Sequence, residues 1–234
     1  MSSIHEEIVR ANASHYDRLY REHGDTPATA QWADVATQDR RLQILCEIAD
    51  LRAVKILDFG CGMARLYNLL LSQGFAGTYV GYDVARELID AAQAKYPNIR
   101  FECRDVLSQG IGEEFDYVLI SGVFNNRQSS SLSYVRDVLA TLLPAVRNGL
   151  AFNALSTYVD YFDENLRYYD PAAMFALCKT ELSPCVVLRH DYLLKEGVVP
   201  YEYTIYVYKS PLLPPANKSG QDGERDAGLP QQQP

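Results

Sequence analysis

The stretch Val54-Lys55-Ile56-Leu57-Asp58-Phe59-Gly60-Cys61-Gly62 decides the fold of this chain. An apolar run ends in an acid and a Gly-x-Gly turn follows directly, which is typical of a buried strand that leads through a glycine loop into a helix. Glycine lets the backbone approach a ligand closely, because it has no side chain. The first turn of the helix directs free N–H groups toward the same place. The stretch therefore predicts a binding loop for a nucleotide-like cofactor.

Two kinds of cofactor compete for such a loop. A dinucleotide-binding loop has a third glycine where this chain has Arg65, and a long cation is a poor substitute at a close contact between helix and strand. Asp58 would also repel the negative charges of a pyrophosphate. An acid at this position suits a cation, and S-adenosylmethionine carries a sulfonium and a free α-amino group without any phosphate. The residues therefore favour the sulfonium cofactor.

The segment from Leu57 to Ala64 resembles the first motif of the class I S-adenosylmethionine-dependent methyltransferases, apolar-apolar-acid-x-Gly-x-Gly-x-Gly, with Ala64 in place of the last glycine. The resemblance extends over about residues 10–208. It implies an α/β, Rossmann-like class I methyltransferase fold, with a mostly parallel seven-stranded sheet, an antiparallel last strand and a helical N-terminal cap. It also implies an enzyme that uses S-adenosyl-L-methionine as its cofactor.

Acids at two further strand ends extend the predicted cofactor site. Asp83 ends the second predicted strand, where a carboxylate can accept both ribose hydroxyls, although capping of the next helix is an alternative. The resemblance places Asp105 at the adenine amino group and the N–H of Val106 at a ring nitrogen, while a turn role is the alternative for Asp105. The other cofactor contacts predicted in the turn and after the strands are Gly60, Cys61, Gly62, Val84 and Ser121.

The N-terminal segment supplies three more predicted cofactor residues. Tyr16, Trp32 and Arg41 occur in this order before the first strand, as they do in a group of bacterial small-molecule methyltransferases that the chain resembles. The resemblance implies that the cap closes over the cofactor and that an arginine holds its methionine carboxylate by a bidentate pair. Arg41 fits that role by position, with the neighbouring Arg40, or a solvated helix charge, as alternatives.

Two residues are candidates for the chemistry of methyl transfer. His190 follows the penultimate predicted strand, and histidine as a residue type suits proton transfer near neutral pH, so it is the first candidate for a general base, with a structural histidine as the alternative. Asn125, like its neighbour Asn126, follows the fourth strand, where the family places acceptor contacts. An asparagine amide holds a hydroxyl or an amine without being charged, and a turn role is the alternative.

An aromatic and acidic segment follows the fifth predicted strand, and a sugar or a small cation could lie on it, because tyrosine combines a stacking face with a polar tip. Core packing under a long loop is the alternative. The residues concerned are Tyr158, Asp160, Tyr161, Asp163, Tyr168 and Tyr169. Together with the resemblance, they favour methyl transfer to a small molecule, most of all O-methylation of a sugar or sugar-phosphate-type acceptor. Small-molecule N-methylation and a non-catalytic cofactor-binding domain are the alternatives.

Composition limits the partners of the chain. The 234 residues carry a net charge of −8 with a pI near 5.0, which argues against duplex nucleic acid and against an anionic membrane surface. Five scattered cysteines form no Cys-x-x-Cys pair, so no metal site is predicted. The polar N-terminus does not resemble a secretory signal, and we expect a cytoplasmic monomer or homodimer that acts on a small-molecule acceptor.

Changes in pattern along the chain predict three segments. Residues 1–50 read as a helical N-terminal cap, residues 51–210 as the S-adenosylmethionine-binding methyltransferase domain, and residues 211–234 as a disordered tail rich in proline and poor in apolar residues. Within the domain, alternating strands and helices predict a parallel sheet covered by helices. A helix is predicted from about residue 132 to 147, followed by a strand over residues 150–155.

Overall fold

The computed structural model describes residues 4–31, 34–127 and 131–211, so Trp32 and nearly all of the predicted tail lie outside the described residues. The α-helices are α1 Ile4–His23, α2 Val35–Cys46, α3 Arg65–Ser72, α4 Arg86–Lys95, α5 Val106–Gln109, α6 Leu132–Leu142 and α7 Pro171–Leu177. The strands are β1 Lys55–Phe59, β2 Thr78–Asp83, β3 Arg100–Cys103, β4 Phe115–Ile120, β5 Val146–Ser156, β6 Tyr168–Tyr169, β7 Cys185–Arg189 and β8 Glu202–Tyr208. No helix in the described ranges is long and apolar enough to cross a membrane.

The strands form one sheet in the order β3-β2-β1-β4-β5-β8-β7. Strands β1 to β5 are parallel, whereas β8 runs antiparallel to both β5 and β7. The predicted mostly parallel sheet with an antiparallel last strand is therefore confirmed. The two-residue strand β6 pairs with the end of β5 and adds an eighth strand to the seven that were predicted.

The strand order creates a crevice beside β1. Because β2 and β4 flank β1, the connections that leave β1 and β4 diverge to opposite faces of the sheet, which opens a binding crevice at the carboxyl ends of the strands. Phe59 of β1 pairs with Tyr82 of β2 and with Ile120 of β4. The residues that follow these three strand ends therefore meet at one edge of the sheet.

Two apolar cores lie on the two faces of the sheet. One contains Val135 and Leu139 of α6 and Met174 of α7, packed against residues of the central strands. The other contains residues of α2, α3 and α4, among them Leu45 and Leu66. All seven residues of β8 are buried, because β8 lies one strand inside the edge and is covered on both faces. These cores cover both faces of the sheet that carries the strand ends.

The predicted boundary between α6 and β5 is wrong by several residues. The helix ends at Leu142, a short 3₁₀ turn covers Leu143–Ala145, and β5 already begins at Val146, which pairs with Phe115. Pro144 explains the early end, because proline has no N–H for the helical hydrogen bond and its ring collides with the preceding turn. The apolar spacing of the segment continued beyond this proline, so periodicity alone extended the helix too far.

Candidate functional site

The turn after β1 requires glycine at Gly60. Its φ is +77°, which is a left-handed conformation, and a Cβ atom at this position would overlap the Cγ2 atom of Val123 in the loop after β4. The N–H groups of Gly60 and Cys61 both donate to the carbonyl oxygen of Tyr82, at 2.8 and 3.0 Å. The turn is therefore fastened to the end of β2 and lies in close contact with the next loop.

Ala64 occupies the place of the motif's last glycine and adopts a glycine-like conformation. Its φ and ψ are 62° and 41°, in the left-handed region, and it precedes the first residue of α3. A residue with a Cβ atom adopts this conformation at a cost of about 1–2 kcal/mol. The alanine therefore causes local backbone strain, because the backbone at this position keeps the left-handed conformation that suits glycine.

Asp58 is a buried acid at the end of β1. Its side chain accepts a hydrogen bond from the hydroxyl of Tyr79 at 2.5 Å. Burial raises the pKa of Asp58 to about 7, the Tyr79 hydroxyl opposes this rise, and the negative charge of Asp83 adds to it. An acid in this state is stabilised as a carboxylate when a cation lies beside it.

Asp83 ties the end of β2 to the glycine turn. Its Oδ2 atom accepts from the N–H of Gly62 and its Oδ1 atom from the N–H of Ala85, both at 2.9 Å. Burial raises the pKa of Asp83, and these backbone donors oppose the rise. Ala85, not Asp83, is the N-cap of α4, so the capping alternative is wrong. Each carboxylate oxygen keeps a lone pair for a further donor.

A cavity lies on both sides of the glycine turn, and we call it the glycine-loop cavity. Its lobe beside Asp83 has a volume of about 110 Å³, and its lobe beside Asp58 has a volume of about 280 Å³. The two lobes share five lining residues, namely Ala30, Gly60, Gly62, Met63 and Ser121. The predicted residues Tyr16, Cys61, Asp83 and Val84 also line one of the lobes. The structure therefore brings together most of the predicted cofactor residues.

Several lining residues of the glycine-loop cavity were not predicted from the sequence, among them Arg104 and Tyr134. Arg104 lines the Asp83 lobe, where Glu102 and the carbonyl oxygen of Gly110 accept its hydrogen bonds at 2.8 and 3.0 Å. Tyr134 of α6 lines the same lobe. Arg104 directly precedes Asp105, the acid that matched the expected pattern, so the prediction named Asp105 and not Arg104. No local signal marks Tyr134, because its helix is distant in sequence from the glycine turn.

Asp105 and Val106 have local roles in the structure. Asp105 is the N-cap of α5, where it accepts from the N–H of Leu107 at 3.0 Å and from the hydroxyl of Ser108 at 2.7 Å. The side chain of Val106 is buried in the core. Asp105 therefore has the local turn role that was its alternative, the adenine contacts of Asp105 and of the Val106 N–H stay a prediction, and Arg104 forms the cavity wall at this strand end.

Arg41 is buried in the interior instead of facing the glycine-loop cavity. Its side chain has no exposed surface and forms an ion pair with Glu202 of β8, which also accepts from the hydroxyl of Tyr192 at 3.3 Å. Burial raises the pKa of Glu202 to about 7, although Arg41 opposes the rise. The solvated alternative for Arg41 is therefore wrong. Arg41 does not line the glycine-loop cavity, and its bidentate contact with the methionine carboxylate stays a prediction.

Replacing Arg41 by methionine should lower the free energy of unfolding by about 3–5 kcal/mol, because it leaves Glu202 buried without its cation. The loss should be larger at pH 8 than at pH 6, since Glu202 can take up a proton below its raised pKa. Urea unfolding at both pH values measures this. The neighbouring Arg40 is exposed, so Arg40→Met is the control that should change little. Equal stabilities of the two variants would contradict the role given to the ion pair.

A second and larger cavity adjoins the first, and we call it the outer cavity. Its volume is about 540 Å³, and it shares Tyr16, Ala30 and Gly122 with the glycine-loop cavity. Of the remaining lining residues, Gln31 precedes α2, Leu155 belongs to β5 and Tyr168 to β6. The others come from the loops after β4, β5 and β7, and they are Asn125, Val159, Asp160, Tyr161, Leu166, Gly197, Val198, Val199 and Tyr201. Two molecules, one bound in each cavity, would contact each other near the three shared residues.

Asn125 lies in the outer cavity with its amide group unused. The residue is 7% exposed, and neither amide atom has a hydrogen-bond partner within the described residues. The backbone of Asn125 is held by bonds to Gly122 and to Arg167, at 3.3 and 2.8 Å. An unsatisfied buried amide costs about 1–3 kcal/mol. A fixed side chain that bears this cost is an expected contact for a ligand.

His190 lies behind the wall of the outer cavity. Its Nε2 atom is 3.0 Å from the carbonyl oxygen of Pro200, and its ring lies 6.0 Å from each of the rings of Tyr158 and Tyr203. Asp191 pairs with Arg189 at 2.8 Å. His190 does not line the outer cavity, so its placement favours the structural alternative over a general base.

The aromatic and acidic segment after β5 is divided between cavity, core and surface. Tyr161, Tyr168 and Asp160 line the outer cavity, whereas Tyr169 is buried in the core. Tyr158 is 62% exposed. The segment therefore supplies an aromatic wall with one acid, as the interpretation as a ligand surface predicted. One of its tyrosines packs in the core, as the alternative of core packing predicted.

Comparison of sequences gives related proteins. Residues 56–145 match the family model described as a methyltransferase domain. Rv1506c of Mycobacterium tuberculosis, which is named as a methyltransferase, is 37% identical over 161 residues, which cover 66% of this chain and 93% of that protein. A 64-residue stretch is 30% identical to protein 235L of Invertebrate iridescent virus 6, also named as a methyltransferase, and covers 27% of this chain and 24% of that protein.

Solved structures share the fold at low identity. The magnesium protoporphyrin IX methyltransferase ChlM of Synechocystis PCC 6803 with bound SAM superposes with a TM-score of 0.63 at 13% identity, covering 90% of this chain and 99% of that one. The glycopeptide N-methyltransferase MtfA with S-adenosyl-L-homocysteine gives a TM-score of 0.59 at 12% identity, covering 84% and 98%. A TehB-like methyltransferase from Corynebacterium glutamicum gives 0.55 at 22% identity, covering 86% and 100%.

The residues of the glycine-loop cavity fit the cofactor that these neighbours bind. Two acids, Asp58 and Asp83, lie beside a glycine turn that has no room for a Cβ atom at Gly60. S-adenosylmethionine carries no phosphate that these acids would repel. The predicted fold, the predicted cofactor S-adenosyl-L-methionine and the predicted enzyme class are confirmed. The chain therefore belongs to the class I S-adenosylmethionine-dependent methyltransferases.

Proposed function

We propose that this methyltransferase methylates a hydroxyl group of a small, neutral, sugar-type acceptor bound in the outer cavity. The observation that carries the proposal is the buried, unused amide of Asn125 in a cavity that adjoins the glycine-loop cavity. An amide can both donate to and accept from a hydroxyl group. Tyr161 and Tyr168 add aromatic faces on which a sugar ring can stack.

The cofactor roles follow from the two lobes of the glycine-loop cavity. Asp83 is suited to the ribose hydroxyls, and Arg104 and Tyr134 are suited to the adenine side of the same lobe, because they supply flat surfaces. Asp58 is suited to the cationic methionine end. The cofactor supplies an electrophilic methyl group, and the residues of this chain position it against the acceptor.

The lining of the outer cavity supports an uncharged acceptor over the sugar phosphate that the sequence also allowed. Among the described lining residues, Asp160 is the one charged side chain, and none is lysine, arginine or histidine. A phosphate bound there would lack a cationic partner and would face an acid. Asp160 favours a second candidate, N-methylation of a small amine, because a carboxylate attracts the ammonium form.

The proposal can be tested with a panel of neutral sugars, sugar phosphates and small amines. Each compound is incubated with the protein and S-adenosylmethionine and is then analysed by mass spectrometry. We expect a methyl gain on a neutral polyhydroxyl compound. A gain confined to amines would replace the proposal with the second candidate. No gain in any class, despite cofactor binding in calorimetry, would overturn the assignment of a sugar-type acceptor.

Asn125→Ala should lower kcat/KM for the acceptor by about 10- to 100-fold, because a hydrogen bond to a buried polar group discriminates by that order. The affinity for S-adenosylmethionine should stay unchanged, since Asn125 lines the outer cavity and does not line the glycine-loop cavity. Asn148→Ala is the matched control, because Asn148 is exposed near the start of β5, at the opposite end of the strand from the site. Equal kinetics for the two variants would remove Asn125 from the acceptor site.

A further inference from the structure

Large apolar side chains surround the mouth of the outer cavity while being exposed to solvent. Tyr161, Val198 and Val199 line the cavity and are 77%, 40% and 45% exposed. Tyr158 and Phe162 lie in the same loop as Tyr161 and are 62% and 53% exposed. We call these five residues the apolar rim. Single exposed apolar residues are ordinary, but a cluster at a cavity mouth marks a binding surface.

The rim is built from two loops that are held in place. Phe162 packs edge-on against Tyr168, a lining residue, with ring centres 4.9 Å apart. Tyr168 also accepts a hydrogen bond from the N–H of Asp163 at 3.1 Å. On the other side, His190 binds the carbonyl oxygen of Pro200, next to Val199, and its ring lies near that of Tyr158. Both loops are therefore fastened to the cavity wall and to each other.

Charge narrows the class of molecule that fits the rim. The described lining of the outer cavity contains no cationic side chain, and its acid, Asp160, is exposed beside Tyr161. A phosphate or carboxylate on the acceptor would therefore gain nothing here. An uncharged apolar group would remove the exposed surface of the rim from water, and each buried methylene group contributes to binding.

We infer that the acceptor is amphipathic, with a neutral polar end that enters the outer cavity toward Asn125 and an alkyl or aryl group that lies on the apolar rim. This inference rests on the proposed function, because it concerns the same cavity. A neutral glycoside with an apolar aglycone satisfies both parts. The cavity selects the hydroxyl-bearing head, and the rim selects the apolar group.

Binding of alkyl glucosides tests the inference. Methyl, hexyl and octyl β-glucoside, each below its micellar concentration, are titrated into protein saturated with S-adenosyl-L-homocysteine. We expect the dissociation constant to fall by about tenfold or more from the methyl to the octyl compound, because added methylene groups are buried on the rim. A dissociation constant that is independent of chain length would overturn the inference.

Rim variants show whether the gain arises at the rim. Phe162→Gln and Val199→Gln should remove most of the dependence on chain length and leave the affinity for S-adenosyl-L-homocysteine unchanged. Leu71→Gln is the matched control, because Leu71 is 45% exposed on α3, away from both cavities. An equal loss in Leu71→Gln would show non-specific association and would overturn the inference.

Methyl transfer separates the inference from the proposed function. One outcome is that octyl glucoside binds through the rim while sugars of every kind fail to accept a methyl group. This outcome would refute sugar methylation and leave the inference about the rim intact. A sugar methylated with the same kcat/KM with or without an apolar aglycone would refute the rim and leave sugar methylation intact.

Discussion

Replacement of Gly60 by alanine is expected to weaken S-adenosylmethionine binding by about 100-fold or more, which corresponds to nearly 3 kcal/mol. Two independent penalties act at this residue. The φ of +77° costs an alanine about 1–2 kcal/mol, and the new Cβ atom would overlap Cγ2 of Val123. Relief of that overlap must rotate the Val123 side chain or move the glycine turn, and both Val123 and Gly60 line the glycine-loop cavity. Isothermal titration calorimetry measures the loss directly.

Two further variants separate the two penalties at Gly60. Gly74 has a φ of +81°, but a Cβ atom there meets no atom within 4 Å, so Gly74→Ala should lower stability without changing cofactor affinity. The double variant Gly60→Ala/Val123→Ala removes the overlapping Cγ2 atom and should recover part of the affinity. Wild-type affinity in Gly60→Ala would show that the turn adapts freely, and it would remove the steric explanation.

Local patterns were sufficient to predict the sheet and its cofactor turn. The apolar strand before Asp58, the glycine turn after it and the acid at Asp83 are close in sequence, and the parallel sheet brings their strand ends together. Ala64 shows why this works, because the backbone keeps the conformation of the motif even where the residue departs from it. The helix predicted through Pro144 was the main error, because apolar spacing was followed past a residue that ends helices.

Contacts between distant residues could not be predicted in the same way. Arg41 and Glu202 are separated by 161 positions, and the sequence around Arg41 does not indicate that its side chain pairs with a buried carboxylate. The outer cavity likewise combines three loops with residues of the N-terminal segment, so the lack of cationic side chains in its described lining became visible only when those parts were assembled. Asp105 shows a related limit, since the pattern predicted a ligand contact and did not reveal that the same side chain caps α5.

The second large effect is a dependence on pH that arises from Asp58. Its pKa is raised from 3.8 to about 7 in the folded protein, mainly by burial. Between about pH 4 and pH 7 the folded state therefore binds more protons than the unfolded state, so this residue makes the protein less stable as the pH rises through that range. A bound cation stabilises the carboxylate, so cofactor binding should lower this pKa and release a proton.

The affinity for S-adenosylmethionine should accordingly rise between pH 5.5 and pH 7, by up to about tenfold per pH unit where one proton is released. The α-amino group of the cofactor stays protonated in this range, because such groups titrate near pH 8. Calorimetry at pH 6 in buffers with different heats of ionisation should reveal the released proton. Asp58→Asn should bind more weakly and lose most of the pH dependence, with any remainder attributable to Asp83, whose pKa is also raised.

Tyr79→Phe provides the sharper test, because the direction of its effect is fixed by a single hydrogen bond. The Tyr79 hydroxyl donates to Asp58 at 2.5 Å and stabilises the charged form, so its removal should raise the pKa of Asp58 further. The rise in cofactor affinity should then shift to higher pH, while the affinity well above the new pKa is largely kept. Tyr67→Phe is the matched control, since the ring of Tyr67 packs 4.8 Å from that of Tyr79. An unshifted profile in Tyr79→Phe, or the same shift in Tyr67→Phe, would show that the profile does not report the titration of Asp58.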